Sequence, residues 1–158
     1  MDFIPFDPFL VPLKGVSAVE ASAGTGKTYG IASLYARLLI IEGVEVESIP
    51  VVTFTRTAVT ELKSRLRARL LELRDALEDG SRQNADPFTN TLIKVLQDKK
   101  ITKEEGIERI YQALRHFDLA PILTIHGFCR KFLNEAAFMS RIPVSYTHLR
   151  AHETSLHL

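Results

Sequence analysis

The chain has 158 residues, 46% of them hydrophobic and 25% charged, with a formal net charge of +1. That length carries one domain with a real core, and the near-neutral charge excludes a globally polycationic nucleic-acid binder while leaving room for a local basic stripe. A single cysteine, Cys129, excludes an internal disulfide framework and fits a reducing, cytoplasmic setting. The opening MDFIPFDPFLVPLKG carries Asp2 and Asp7 and no basic leader, so it does not read as a signal peptide. The longest apolar run, Leu38 to Ile41, is far too short to span a membrane.

In chain order, residues 1 to 15 read as an extended lead-in punctuated by proline. Val16 to Ala21 reads as a short buried strand. The stretch Ala21-Ser22-Ala23-Gly24-Thr25-Gly26-Lys27-Thr28 then follows the phosphate-loop pattern, with Ala21 where the first glycine usually stands. Gly24 and Gly26 let the backbone approach a ligand closely. Successive backbone N–H groups there form a nest for phosphate oxygens, at the positive end of the next helix. In such a loop Lys27 reaches the β- and γ-phosphates and the Thr28 hydroxyl holds Mg²⁺. Ile31, Leu34, Tyr35, Leu38 and Leu39 then recur at helical spacing up to about Glu42, and Gly43 ends that helix.

The next strand is expected at about Ile49 to Thr55, with Val51, Val52 and Phe54 suited to burial on both faces. A long helix follows from about Thr57 to Asp79, its stripe formed by Val59, Leu62, Leu66, Leu70, Leu73 and Leu77. Residues 81 to 90 read as a polar linker containing Pro87. Helices are predicted at about 88 to 97 and 103 to 116. In the second, Ile107, Ile110, Tyr111 and Leu114 form the apolar stripe, and Thr102 with Glu105 makes a capping box. PILTIH reads as a third strand, and GFCRKFLNEAAF as a helix that packs Phe128, Phe132 and Leu133. Alternating strands and helices after a phosphate loop predict an α/β fold, a P-loop NTPase parallel sheet with helices on both faces and a helical insertion at about 80 to 118. Ligands of such sheets bind beyond the carboxyl ends of the strands. Here that edge gathers the phosphate loop, Thr53-Phe54-Thr55 and Thr124-Ile125-His126.

Two further constellations bear on function. Strand ends rich in hydroxyls that open into helices suit phosphate contacts, and Phe54 offers a face on which a base could stack. Arg56, Lys63, Arg67 and Arg74 share one helix face, with Arg65 and Arg69 beside them. That stripe is either a solvated face or an electrostatic footprint for nucleic acid. His126 serves either a backbone phosphate or a structural hydrogen bond, and Cys129 reads as buried and inert.

Taken in order, EASAGTGKT, VVTFTRTAVTELKSRL and TIHGFCRKFL resemble the first three motifs of superfamily 1 helicases of the UvrD/Rep class, in the wording of the RecB-like branch. The resemblance covers about residues 10 to 142. That branch writes Ala-Ser-Ala before the glycines, so Ala21 is its own spelling. The resemblance implies an ATP-dependent DNA helicase and exonuclease of double-strand-break repair and recombination, bacterial and cytoplasmic. Its cofactors would be ATP and Mg²⁺, and its partners single-stranded DNA, duplex ends, and RecC-like and RecD-like subunits. Ala21, Ser22, Ala23, Gly24, Thr25, Gly26, Lys27 and Thr28 would hold the nucleotide, with Lys27 and Thr28 acting on the transferred phosphate and Thr28 on the metal. Thr53, Phe54, Thr55, Arg56, Thr124, His126 and Gly127 would lie along DNA. Two departures stand out: Arg56 replaces the usual Asn or Glu, and Lys14 sits where an adenine-reading Gln would be sought.

The resemblance also implies an Asp-Glu pair after a hydrophobic strand to hold Mg²⁺, and these residues contain no such pair. An arginine finger and a nuclease centre are likewise not found in them. By that resemblance the chain reads as the opening part of a larger enzyme, 1 to 143 being a partial ATP-binding domain with an incomplete RecA-like sheet, inactive alone. From about Val144 the string VSYTHLRAHETSLHL resembles translated adapter sequence and is expected to be non-native or disordered. Its His148 and His152 lack the companions of a zinc motif. A non-catalytic module that binds single-stranded DNA, and another P-loop enzyme such as a nucleotide kinase, are the alternatives.

Overall fold

The structure, a computed structural model, describes residues 5–21, 26–79 and 86–140, with side chains described to residue 136. Its elements are α1 (Lys27–Ile40), β1 (Val51–Thr53), α2 (Arg56–Asp79), α3 (Pro87–Asp98), α4 (Lys103–Arg115), β2 (Ile122–Thr124) and α5 (Ile125–Ser140), with short 3-10 turns at Val46–Ser48 and Phe117–Leu119. The suspect stretch from Val144 lies outside the described residues.

Leucine spacing builds the core. Leu62, Leu66, Leu70, Leu73 and Leu77 are all buried along one face of α2, as a stripe recurring every three or four residues requires. Against it pack α1, through Tyr35, Ala36, Leu39 and Ile40, and α4, through Ile110 and Ala113. Phe88, Leu92 and Leu96 bring in α3. Gly106 is buried in the first turn of α4, where an added Cβ would meet the Leu96 side chain at 3.5 Å. The α3–α4 pair falls inside the crossover from β1 to β2, where the sequence places a helical insertion. A parallel pair of strands requires a long crossover of this kind.

The sheet is small. β1 and β2 run parallel, with Val51 opposite Ile122, Val52 opposite Leu123 and Thr53 opposite Thr124. Both α2 and α5 pack on these strands.

Several expectations are corrected. Val16 to Ala21 is not a strand: it has no ladder partner among the described residues, and Val16 and Val19 stand in solvent. A strand gains little unless a neighbour supplies both hydrogen bonds and cover. β1 is not buried on both faces, since Val52 is exposed and Phe54, beyond its end, is 86% exposed. Phe132 and Leu133 of α5 are also exposed, Phe128 is half-buried, and Cys129 is exposed rather than buried. Much of the apolar face of α5, at Phe132 and Leu133, thus lies uncovered by the described residues. Tyr111 leaves the stripe of α4 and donates to Glu78 at 2.8 Å, while Ala113 takes the buried place.

Nor is the lead-in simply extended. Asp7 folds it into a turn by accepting from the Phe9 N–H at 2.8 Å. Arg37 of α1 then donates to the Pro8 and Val11 carbonyls, both at 2.9 Å, and Phe9 stacks on Phe88 with ring centroids 4.7 Å apart. Gly30 lies under the Phe6 ring, which an added Cβ at 2.9 Å would push aside.

Candidate functional site

The two ends of the phosphate-loop pattern, Ala21 and Gly26-Lys27-Thr28, are described. Lys27 Nζ donates to the Ala21 carbonyl at 2.8 Å. Gly26, at φ 83° and ψ 21°, takes the left-handed conformation that opens α1 and that glycine adopts without a steric penalty. Lys27 is exposed and Thr28 half-buried in the first helical turn. No side chain caps this end and no acid lies in its first turn. Ser22, Ala23, Gly24 and Thr25 lie outside the described residues. What is described fits a phosphate group: an accessible ammonium, a hydroxyl suited to Mg²⁺, and orphan N–H groups at a positive helix end.

The sheet edge is built by register. Since Thr53 lies opposite Thr124, the two strands stop together, and α2 and α5 begin side by side. Each helix is capped by a threonine. The Thr55 hydroxyl accepts from the Ala58 N–H at 3.1 Å, and the Thr124 hydroxyl accepts from the Gly127 N–H at 3.1 Å. These are N-cap bonds, and they satisfy one orphan donor each. Gly127 packs closely there, an added Cβ coming to 3.3 Å from the Thr124 hydroxyl. Neither α2 nor α5 carries an acid in its first turn, and both Arg56 and His126 are exposed there. A cation in the first turn opposes the helix dipole, so Arg56 makes that end still more attractive to an anion. Phe54 and Ile125 present apolar surface at the same junctions.

Of the three strand ends that the sequence assembles, the structure brings two together, those of β1 and β2. The segment before the phosphate loop joins no strand. The basic stripe of α2 divides. Arg67 lies over the Phe117 ring, 5.8 Å from its centroid, and Arg74 lies over Tyr111 while pairing with Asp75. Arg67 and Arg74 thus pack on rings of the insertion, and of the remaining two members, Arg56 and Lys63, Arg56 stands at the edge.

A cluster that sequence reading missed lies beside the loop. The Asp86 carboxylate accepts from Tyr29 Oη at 2.6 Å, Arg69 Nη2 at 2.5 Å and the Thr89 N–H at 2.9 Å, and also from the Thr89 hydroxyl. Burial alone would raise the Asp86 pKa, but these donors outweigh it and lower the value to about 2. Burial, and then the bond to Asp86, raise that of the Tyr29 phenol. Arg69 also lies 5.2 Å from the Tyr29 ring centroid and 5.1 Å from that of Phe88. The signal present in the sequence was Asp86-Pro87, an N-cap followed by proline at the first helical position.

Comparison with known proteins agrees with the motif reading. The family model of the UvrD/REP helicase N-terminal domain matches residues 8–157. RecBCD enzyme subunit RecB of Haemophilus influenzae is 42% identical over 147 residues, which cover 88% of this chain and 12% of that protein. The RecB subunit of Escherichia coli K12 is 41% identical over 142 residues, 85% of this chain and 12% of that protein. That of Mycobacterium tuberculosis is 34% identical over 124 residues, 78% of this chain and 11% of that protein. The chain thus spans roughly an eighth of the length of these curated relatives. No helix among the described residues is long and apolar enough to cross a membrane. The loop, the paired strand ends and this extent of similarity together establish that the chain belongs to the UvrD/REP helicase N-terminal domain family, as a RecB-like member.

Proposed function

We propose that this chain is the N-terminal nucleotide- and DNA-binding part of a RecB-like, ATP-dependent DNA helicase and exonuclease, a bacterial cytoplasmic enzyme of double-strand-break repair and recombination. The observation that carries this reading is the treatment of helix N-termini. The three that follow the phosphate loop and the two strand ends hold no acid in their first turns, as sites kept for phosphate require. At α1, Ala21 and Ser22 to Thr28 would receive the phosphates of ATP, with Lys27 neutralising charge and the Thr28 hydroxyl on Mg²⁺. ATP hydrolysis would supply the free energy for movement along DNA. At the sheet edge, Thr53, Thr55, Arg56, Thr124, His126 and Gly127 would face the DNA backbone, with Phe54 under a base. The hydroxyls of Thr55 and Thr124 serve as caps, so their share in DNA contact is to aim the helix N–H groups. RecC-like and RecD-like subunits would be the partners, following the name RecBCD that the relatives bear.

These 158 residues hold no Asp-Glu pair, so we expect them to bind nucleotide while turning over little of it. The test titrates a fluorescent ATP analogue with Mg²⁺ into the chain and into Lys27→Ala. Loss of binding in a folded variant is expected; unchanged binding sinks the assignment. Binding to a single-stranded oligonucleotide should weaken steeply with salt and fall on Phe54→Ala. Salt-independent binding would remove the edge from the reading.

A further inference from the structure

The turn that carries Lys27 and Thr28 opens on a glycine rather than on a capping side chain. Its N-cap, Gly26, offers no side chain, and its first turn holds no acid. Helix ends fray unless capped, and a local acid would occupy the donors a phosphate needs. A fastening comes from 57 residues along the chain, where Tyr29 Oη donates to Asp86 at 2.6 Å. The same carboxylate caps α3 through the Thr89 N–H and receives Arg69 from the middle of α2 at 2.5 Å. One side chain therefore ties the phosphate end of α1 to the insertion and to the helix that starts at the sheet edge. Arg69 solves the electrostatic difficulty of this arrangement: a carboxylate close to a phosphate site would repel it, and the guanidinium cancels that charge. Arg69 is held there by its neighbours, its side chain only 11% exposed and lying against the rings of Tyr29 and Phe88.

The far end of α1 is held from the insertion as well. Arg109 of α4 donates to the Ile40 and Ile41 carbonyls at 2.7 and 3.1 Å, and Lys99 pairs with Glu42 at 3.2 Å. α1 is thus gripped at both ends by α3, α4 and the link between them.

We propose that Asp86 is a positioning residue for nucleotide binding, fastening through Tyr29 the turn that presents Lys27 and Thr28, so that the helical insertion as well as the loop sets nucleotide affinity. This rests on the reading of α1 as the phosphate site, and the two can fail separately. The test titrates mant-ATP with Mg²⁺ into the full 158-residue chain and its variants, well below their melting temperatures, with melting followed in parallel by circular dichroism. Tyr29→Phe removes one hydroxyl and keeps the ring over Arg69; the expected result is about 2- to 12-fold weaker binding, the worth of one hydrogen bond, with little change in melting. Asp86→Ser keeps a cap for α3 but is too short for Tyr29, and should weaken binding at least as much. The double variant should be no weaker than Asp86→Ser alone, because both remove the same bond. If Lys27→Ala binds as the parent does, the phosphate site itself is wrong and the proposal falls with it. If Lys27→Ala loses binding while Tyr29→Phe and Asp86→Ser keep the parent affinity, whatever their melting, Asp86 is a stabiliser only and the proposal is overturned. Additive losses in the double variant overturn it too.

Discussion

The insertion and the sheet edge treat their helix ends in opposite ways. α3 is capped by Asp86, and α4 by Thr102 with Glu104 and Glu105 in its first turn. These are the arrangements that stabilise a helix for its own sake. α1, α2 and α5 begin with glycine or threonine and with no acid at all. Burial divides the molecule along the same line. Leu92 and Ile110 of the insertion are fully buried, whereas Phe54, Phe132 and Leu133 are more than half exposed. The contrast separates helix ends that carry an acid from helix ends that carry none.

The largest effect that tests this division is in the core. Leu92→Ala should destabilise the chain by about 2–5 kcal/mol, the usual range for a fully buried leucine, measured by urea unfolding. Leu133→Ala, on the uncovered face of α5, should stay within about 0.5 kcal/mol. Equal losses would mean that the two regions are one cooperative core and that the division is false.

Asp86 comes next. Its conversion to Ala removes a cap and an ion pair together and should cost about 2 kcal/mol. The folded-state pKa lies below the unfolded one, at about 2 against 3.8. The stabilisation is therefore complete above about pH 4 and disappears as the pH falls toward 2. The stability difference between the chain and Asp86→Asn should follow that window. A difference that persists at pH 2 would show that the carboxylate charge contributes nothing.

At the sheet edge the caps are the smaller term. Thr55→Ala and Thr124→Ala should each cost about 1 kcal/mol, and the Ser replacements should restore it. If Ser restores stability without restoring oligonucleotide binding, the threonine methyl groups matter to DNA and the caps alone do not explain the motif.

The helices were legible because their signal is local. The α2 stripe, the Thr102 cap and the strand positions around Val51 and Ile122 follow from period, propensity and capping chemistry within a few residues. Long-range pairing has no such signal. Arg69 and Arg109 look like any basic residues on an amphipathic helix, yet one meets Asp86 and the other the carbonyl end of α1. The burial of Phe132, Leu133 and Val16 was misread because apolar composition says that a residue seeks cover, not whether cover is there. At the site, the motif gave Lys27 and the threonines their order along the chain. It could not tell that Thr55 and Thr124 would use their hydroxyls on their own helices, since a capping threonine and a ligand-binding threonine are spelled alike.

The smallest effect sharpens the comparison most, because its two parts should have opposite signs. Thr57 is exposed in the first turn of α2. Glutamate there complements the helix dipole and should stabilise the chain by about 0.3–1 kcal/mol. The same charge stands where the reading places a DNA phosphate, so oligonucleotide binding should weaken, most clearly at low salt where screening is least. A stable protein with no ligand at that edge would be expected to carry such an acid already, as α4 does with Glu104 and Glu105. A gain in stability with unchanged DNA affinity would make the missing acids an accident of sequence. A gain in stability joined to a loss of DNA binding would make them the trace of a site that gives up helix stability to keep its donors open.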